Sequence, residues 1–167
     1  GAEIYPDSTP QEILERAAGA EVLVTKELPV PGELIRSLPE SVKLICEAGT
    51  GYNNIDLDAC RERGIMVCNV PSYSTQRVAH TVIMMILNLS SSMGKRQRML
   101  FEGNHDNFTK RLTVEHREVN GKTLGIVGAG HIGREVIRVP QAMDMTILAR
   151  ARCQRGDEDG VHFVHLA

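Results

Sequence analysis

Short apolar runs recur in the first part of the chain and predict three strands, at 21–25, 42–46 and 65–68. The runs are continuous rather than alternating, which is typical of strands covered on both faces. Helical segments lie between them. This alternation predicts a parallel sheet with covering helices, the α/β class of fold.

The predicted helices begin and end at residues suited to those positions. Thr9 can cap a helix that begins at Pro10, and Glu12 completes a capping box. Asp56 can cap a later helix, which Gly64 ends. These local signals agree with the strand positions and fix the order of the elements.

A long helical pattern follows, from about residue 75 to about residue 102. Apolar residues at spacings of three and four form one side of it. Its first half is apolar nearly all round, so we expect that half to be deeply buried. Gly94 is the expected position of a break. A second alternating pattern then predicts strands at 123–127, 146–149 and 161–164.

A predicted helix lies between the first two strands of this second pattern and runs to about Met143. Pro140 lies inside it. A proline removes a backbone hydrogen bond there, so we expect the helix to kink or end early.

Composition narrows the class of protein. The chain has 167 residues and a net charge of −2, which argues against a dedicated nucleic-acid binder. The first residues form no secretory signal, and the longest apolar stretch is too short and too polar to span a bilayer. We therefore expect a cytoplasmic protein with no membrane partner.

The four cysteines are Cys46, Cys60, Cys68 and Cys153. No two of them form a C-x-x-C pair, so we expect neither a zinc site nor a redox motif. Cysteines in apolar surroundings behave as small hydrophobic residues. The prediction is buried free thiols in a reducing compartment and no metal site.

Gly128, Gly130 and Gly133 form a G-x-G-x-x-G pattern between a predicted strand and a predicted helix. The first glycine permits a tight turn, the second lets a pyrophosphate approach the backbone, and the third lets helix and strand pack closely. The N–H groups at the helix start can bind phosphate. The pattern predicts a dinucleotide site, and a plain strand–helix turn is the alternative.

The end of the next strand bears on the choice of cofactor. An NAD site has an acidic residue roughly 20 positions after the glycines. Here Arg150, Ala151 and Arg152 stand in that region, with no acid. Arginines can pair with a 2′-phosphate, so NADP is slightly favoured over NAD. The alternative is that both arginines are exposed loop charges.

Four stretches of the chain resemble the D-isomer-specific 2-hydroxyacid dehydrogenase family, at 48–56, 67–75, 78–80 and 121–133. The resemblance covers nearly the whole chain and is nearest to the glycerate/hydroxypyruvate reductase branch. It implies an oxidoreductase that moves hydride between NAD or NADP and a small 2-hydroxy or 2-oxo acid. The second sheet would have only about three strands and a bare central edge, and exposed apolar edges pair with other chains, so we expect a homodimer, a swapped assembly, or a further segment of chain that completes the fold.

The family resemblance implies two partial domains with the site in the cleft between them. Residues 1–73 match a flavodoxin-like substrate domain. Residues 74–167 match a long linking helix and a Rossmann domain. The resemblance also implies roles for the matching residues. Thr50 and Gly51 would bind the substrate carboxylate. The residues that would contact the cofactor are Val78, Gly128, Gly130, His131, Ile132, Gly133, Arg150, Ala151 and Arg152.

Three positions depart from the family pattern. Glu47 stands where some members have Arg, and Asn53 where many have Asp. His80 replaces the usual Glu or Gln. We expect His80 to be a structural or cofactor-adjacent residue on a buried helix start.

The family's catalytic Arg, Glu and His have no match in this chain. His162 and His165 lie around the last predicted strand, earlier in the family's order of elements than its catalytic residues, so they cannot replace them. The expectation is therefore an internal piece of a longer dehydrogenase, with no catalytic residue of its own. The alternative is a catalytically inactive dinucleotide-binding module or a structural fragment.

Overall fold

The computed structural model of the chain describes residues 1–152 and 156–164. The chain divides into two compact units, Gly1–Tyr73 and Ser74–Ala167. Each contains one three-stranded parallel sheet, so the chain is α/β, as predicted. The assignment of substrate and cofactor roles to the two units stays a prediction. Cys153 and His165 lie outside the described residues.

Helices and strands alternate through the first unit. They are α1 Pro10–Arg16, β1 Val22–Thr25, α2 Gly32–Ser37, β2 Leu44–Glu47, α3 Leu57–Arg63 and β3 Met66–Cys68. The strands pair in the order β1-β2-β3. The three strands and the helices α1 and α3 lie within a few residues of the predicted positions.

The helix ends of the first unit follow the predicted local signals. The Thr9 hydroxyl accepts from the N–H of Glu12 at 3.3 Å, and the Glu12 carboxylate accepts from the N–H of Thr9 at 2.8 Å. Asp56 caps α3 by accepting from two N–H groups. Gly64 ends α3 with a φ of 65°, in the left-handed region that favours glycine.

One face of the first sheet carries the core, and the other face is open. Ile45 and Glu47 of β2 are buried on the core face. On the opposite face, Val24 and Met66 are each 64% exposed. The prediction of strands covered on both faces is therefore wrong for this sheet. Right-handed crossovers that step in one direction place their helices on one face only.

The second unit begins with helices. Its elements are α4 Thr75–Ser90, α5 Met93–Phe101, α6 Asp106–Thr109, β4 Thr123–Val127, α7 His131–Ala142, β5 Thr146–Arg150 and β6 Val161–Phe163. The strands pair in the order β4-β5-β6. Ile137 of α7 packs with Ile147 and Val161 in a small aliphatic core.

The long helical pattern differs from its prediction in burial and in the position of its break. Ala79 is the buried residue of α4, whereas Leu89 is 81% exposed. The expected deep burial is wrong because α4 packs mainly on α7, and within the described residues most of its side chains stay exposed. The break lies at Ser92, whose φ is 50°, and Gly94 lies inside α5.

Pro140 lies inside α7, which continues to Ala142. It stands in the last turn, where the N–H groups of Met143 and Met145 donate to its carbonyl at 3.1 and 3.0 Å. No helix within the described residues is long and apolar enough to cross a membrane.

Candidate functional site

The glycine loop of the second unit connects β4 to α7. Gly128 has a φ of 105°, which side chains rarely tolerate. Its N–H donates to the carbonyl of Arg150 at 2.8 Å. The loop therefore starts with a turn that requires glycine, and this turn is joined to the end of β5.

The other two glycines of the motif have different surroundings. A Cβ built on Gly133 would lie 2.1 Å from the carbonyl oxygen of Gly128. Only a glycine lets α7 approach the loop this closely. A Cβ on Gly130 would meet nothing within 4 Å. Gly130 therefore faces open space, into which a ligand can approach the backbone.

The start of α7 offers free hydrogen-bond donors. Gly130 caps the helix, and no side chain of the described residues bonds to this end. The N–H groups of His131 and Ile132 donate to no acceptor in the described chain. Unpaired N–H groups and the positive end of the helix dipole favour an anion here.

The residues predicted to choose between NAD and NADP lie beside this loop. Arg150 is in register with Val127, the last residue of β4. The Arg150 guanidinium is half-buried and donates to the carbonyl of Ala151. Arg152 is exposed. No carboxylate stands among residues 150–152, so this stretch itself carries only positive charge.

These residues fit a dinucleotide. The space at Gly130, the free N–H groups of α7 and the two arginines together match the donors that a pyrophosphate and a ribose phosphate require. Val78, in the first turn of α4, is 39% exposed.

The second candidate site is the turn after β2 in the first unit. The Thr50 hydroxyl donates to the carbonyl of Val70 at 3.1 Å, and the Asn69 amide donates to the carbonyl of Thr50 at 2.8 Å. The N–H of Val70 donates to Gly49 at 2.9 Å. These bonds join the turn to the segment after β3.

The backbone donors of this turn remain available. The N–H groups of Thr50 and Gly51 bond to no acceptor within residues 1–152 and 156–164. Adjacent free N–H groups form a concavity that can bind an anion such as a carboxylate. The geometry thus suits the role that the family resemblance implies for both residues.

Sequence reasoning missed what Glu47 does. Glu47 is 1% exposed, and its carboxylate accepts from the Asn54 amide at 2.8 Å and from the N–H of Glu27 at 3.2 Å. It therefore fixes two loops beside the Thr50–Gly51 turn. The sequence signal that could have revealed this role was an acidic residue at the end of a buried strand. A buried carboxylate needs hydrogen-bond donors from neighbouring segments.

The structure describes His80 and His162, two of the histidines considered from the sequence. His80 is exposed, so the expected buried position at the helix start is wrong. His162 lies 2.8 Å from the Asp157 carboxylate. This hydrogen bond, together with the N–H of Phe163, holds the pKa of Asp157 below its ordinary value.

The cysteines also differ from their predicted burial. Cys60 is buried, as expected, and burial raises the pKa of its thiol. Cys46 is half-buried and Cys68 is exposed. The prediction of a buried thiol is therefore wrong for Cys68, because β3 exposes the face of the sheet on which it lies.

Comparison with known proteins gives relatives of this sequence. A hydroxypyruvate reductase from Blautia hydrogenotrophica is 29% identical over 141 residues, which is 83% of this chain and 44% of the relative. The chain spans less than half of that relative's length.

Solved structures match the fold. A glyoxylate reductase from Paecilomyes thermophila gives a TM-score of 0.83 at 31% identity, over 96% of this chain and 52% of that one. A D-lactate dehydrogenase from Aquifex aeolicus, solved with NAD and lactic acid, gives 0.80 at 29% identity, over 94% of this chain and 46% of that one.

The match to a family model covers most of the chain. The model of the D-isomer specific 2-hydroxyacid dehydrogenase catalytic domain matches residues 2–152. This range includes both the Thr50–Gly51 turn and the glycine loop. The chain therefore belongs to the D-isomer specific 2-hydroxyacid dehydrogenase family.

Proposed function

We propose that this chain provides the cofactor and substrate-carboxylate sites of an NAD(P)-dependent oxidoreductase that interconverts a 2-hydroxy acid and a 2-oxo acid. The observation that carries this proposal is the open space at Gly130 beside the uncapped start of α7. Beside that space the N–H groups of His131 and Ile132 have no acceptor in the described chain, and a phosphate would supply one.

The proposed roles follow from the donors of each unit. The first unit is the flavodoxin-like substrate domain, in which the N–H groups of Thr50 and Gly51 hold and orient the carboxylate. The second is the Rossmann domain, in which the N–H groups of His131 and Ile132 hold the pyrophosphate. A nicotinamide bound there would supply or accept the hydride. Val78 is the remaining proposed cofactor contact.

We propose NADP as the slightly favoured cofactor. Arg150 and Arg152 stand where an acidic residue would favour NAD, and a 2′-phosphate pairs with arginine. Arg150 is half-buried and Arg152 is exposed, so Arg152 is the more accessible of the two. The D-lactate dehydrogenase relative binds NAD, so the test compares both cofactors.

The proposed substrate class is a small 2-oxo acid of the hydroxypyruvate or glyoxylate type. The support is the names of two relatives, a hydroxypyruvate reductase and a glyoxylate reductase. A compact anion also suits a turn that offers two adjacent N–H groups.

A dinucleotide-binding module without turnover is the second candidate. Its support is the expectation, from the family resemblance, that the catalytic Arg, Glu and His have no match in these 167 residues. The isolated chain would then bind cofactor and leave 2-oxo acids unchanged.

One titration separates the candidates. NADPH and NADH binding is measured by calorimetry, and turnover is then assayed with hydroxypyruvate and glyoxylate. Turnover supports the dehydrogenase, binding alone supports the module, and the absence of binding contradicts both. Gly130→Asp is expected to abolish binding, because the added carboxylate fills the anion space. Gly94→Asp, on α5, is the matched control and should bind normally.

The cofactor preference has its own test. Arg152→Ala is expected to weaken NADPH binding by about tenfold or more, since a charged hydrogen bond contributes roughly 1.5–3 kcal/mol. NADH binding should change little. An equal loss for both cofactors would show that Arg152 does not contact the 2′-phosphate.

A further inference from the structure

Two thiols lie side by side on the open face of the first sheet. Cys46 of β2 and Cys68 of β3 are direct partners in the parallel register. Residues opposite each other on neighbouring strands have backbones about 4.8 Å apart. A disulfide spans Cα atoms about 4.4–6.8 Å apart, so the register places this pair within bonding range.

Both side chains lie on the same face. Side chains alternate along a strand, and the residues next to Cys46, Ile45 and Glu47, are buried on the core face. Val67, next to Cys68, also packs against the core. Cys46 and Cys68 therefore share the opposite face, where β3 also exposes Met66.

Accessibility distinguishes this pair from the third described thiol. Cys68 is exposed and Cys46 is half-buried, whereas Cys60 is 1% exposed. Burial raises the pKa of the Cys60 thiol, so less of the reactive thiolate forms there. An oxidant in solution reaches Cys68 first.

We propose that Cys46 and Cys68 form a reactive dithiol that hydrogen peroxide converts to a disulfide joining β2 and β3. The Cys68 thiolate attacks the peroxide, the O–O bond breaks, and Cys68 sulfenic acid and hydroxide form. The Cys46 thiolate then attacks the Cys68 sulfur and releases a second hydroxide. The two thiol protons convert both hydroxides to water, so two electrons pass from the sulfurs to the peroxide.

This proposal is independent of the proposed dehydrogenase function, because it needs only residues of the first unit. It also needs no metal. A disulfide here would covalently connect two strands that are otherwise joined by backbone hydrogen bonds.

The experiment uses the full chain with Cys153→Ser, which leaves three of the four cysteines. The protein is treated with hydrogen peroxide and alkylated, and its intact mass is then measured by mass spectrometry. The expected product has lost two hydrogen atoms and carries one alkyl group, on Cys60. Trypsin with an enzyme that cuts after Glu47 then separates Cys46 from Cys60, and the cross-linked peptide should join Cys46 to Cys68.

Matched variants test each thiol. Cys60→Ser should form the bond normally. Cys46→Ser should stop at a sulfenic acid on Cys68, which dimedone traps, and Cys68→Ser should leave Cys46 largely unoxidised. Alanine variants repeat the test if either serine variant unfolds, and circular dichroism monitors folding.

Three results would each overturn the proposal. The first is full alkylation of Cys46 and Cys68 at a peroxide dose that oxidises free cysteine. The second is conversion of Cys68 to sulfinic acid while Cys46 stays free. The third is a Cys46–Cys68 bond found only between two chains on a non-reducing gel.

Discussion

The glycines of the loop between β4 and α7 differ in what each contributes, and substitution separates their roles. In Gly133→Ala the new Cβ meets the backbone oxygen of Gly128, which no side-chain rotation can relieve. We expect a loss of about 1–3 kcal/mol in the free energy of unfolding. Gly130→Ala adds its Cβ to open space and should change stability by less than about 0.5 kcal/mol.

Urea unfolding followed by circular dichroism measures both glycine variants. Equal stability of the two would contradict the close approach of α7 to Gly128. In a cofactor titration we expect Gly130→Ala to weaken binding more than Gly133→Ala does, because the methyl group at position 130 narrows the anion space while the fold is kept.

The buried carboxylate of Glu47 supports a second prediction at the level of single residues. Glu47→Gln replaces one acceptor oxygen with an amide donor, which then faces either the Asn54 amide or the N–H of Glu27. Leaving one of these donors unpaired costs about 1–3 kcal/mol. The control is Glu62→Gln, which removes an exposed ion pair with Arg36 and should cost less than about 1 kcal/mol.

Tyrosine fluorescence can follow the Glu47 variant, since all three tyrosines lie in the first unit. If Glu47→Gln and Glu62→Gln unfold at the same urea concentration, the hydrogen bonds of Glu47 do not stabilise that unit.

At the level of elements, α1 depends on its capping box, and this gives a prediction about pH. The N–H of Thr9 donates to Glu12, and this bond lowers the pKa of Glu12 below its ordinary value. A lowered pKa in the folded state stabilises the fold above the unfolded pKa. That contribution is lost as pH falls through the folded pKa.

We therefore expect Glu12→Gln to be less stable than the unchanged chain at neutral pH. The difference should shrink as the pH falls below the usual range for glutamate. Urea unfolding at a series of pH values measures it. A difference that persists at low pH would mean that the Glu12 charge does not stabilise the capping box.

The elements also show how much the sequence could predict. Caps and glycines act through their own backbone, so Thr9, Asp56 and Gly64 were correctly interpreted from local signals. Burial depends on what packs against an element. The apolar pattern of α4 could not reveal that most of its surface stays uncovered, and Leu89 illustrates this error.

The same distinction applies to the candidate site. The glycine motif places its own loop because a turn and a helix start are local structures. The bond from Gly128 to Arg150 and the bond from the N–H of Glu27 to Glu47 join residues far apart in sequence. Sequence spacing alone contains no information on such pairings, so the supports of both sites became visible only in the fold.

At the level of the whole molecule, the strand edges predict self-association. Within the described residues, β4 lies at one edge of the second sheet, and its Val127 is 80% exposed. An exposed strand edge offers unpaired backbone groups to another chain, and exposed apolar surface favours the same contact. We expect the chain to form a dimer or a swapped assembly.

Gly125→Lys tests this edge. A Cβ on Gly125 meets nothing within 4 Å, so the strand can hold the lysine, whose charge opposes pairing with a second edge. Sedimentation velocity over a concentration series should show less association for this variant. Gly94→Lys adds the same charge on α5, also into open space, and should associate like the unchanged chain. A single species of 18.4 kDa at every concentration would contradict association through β4.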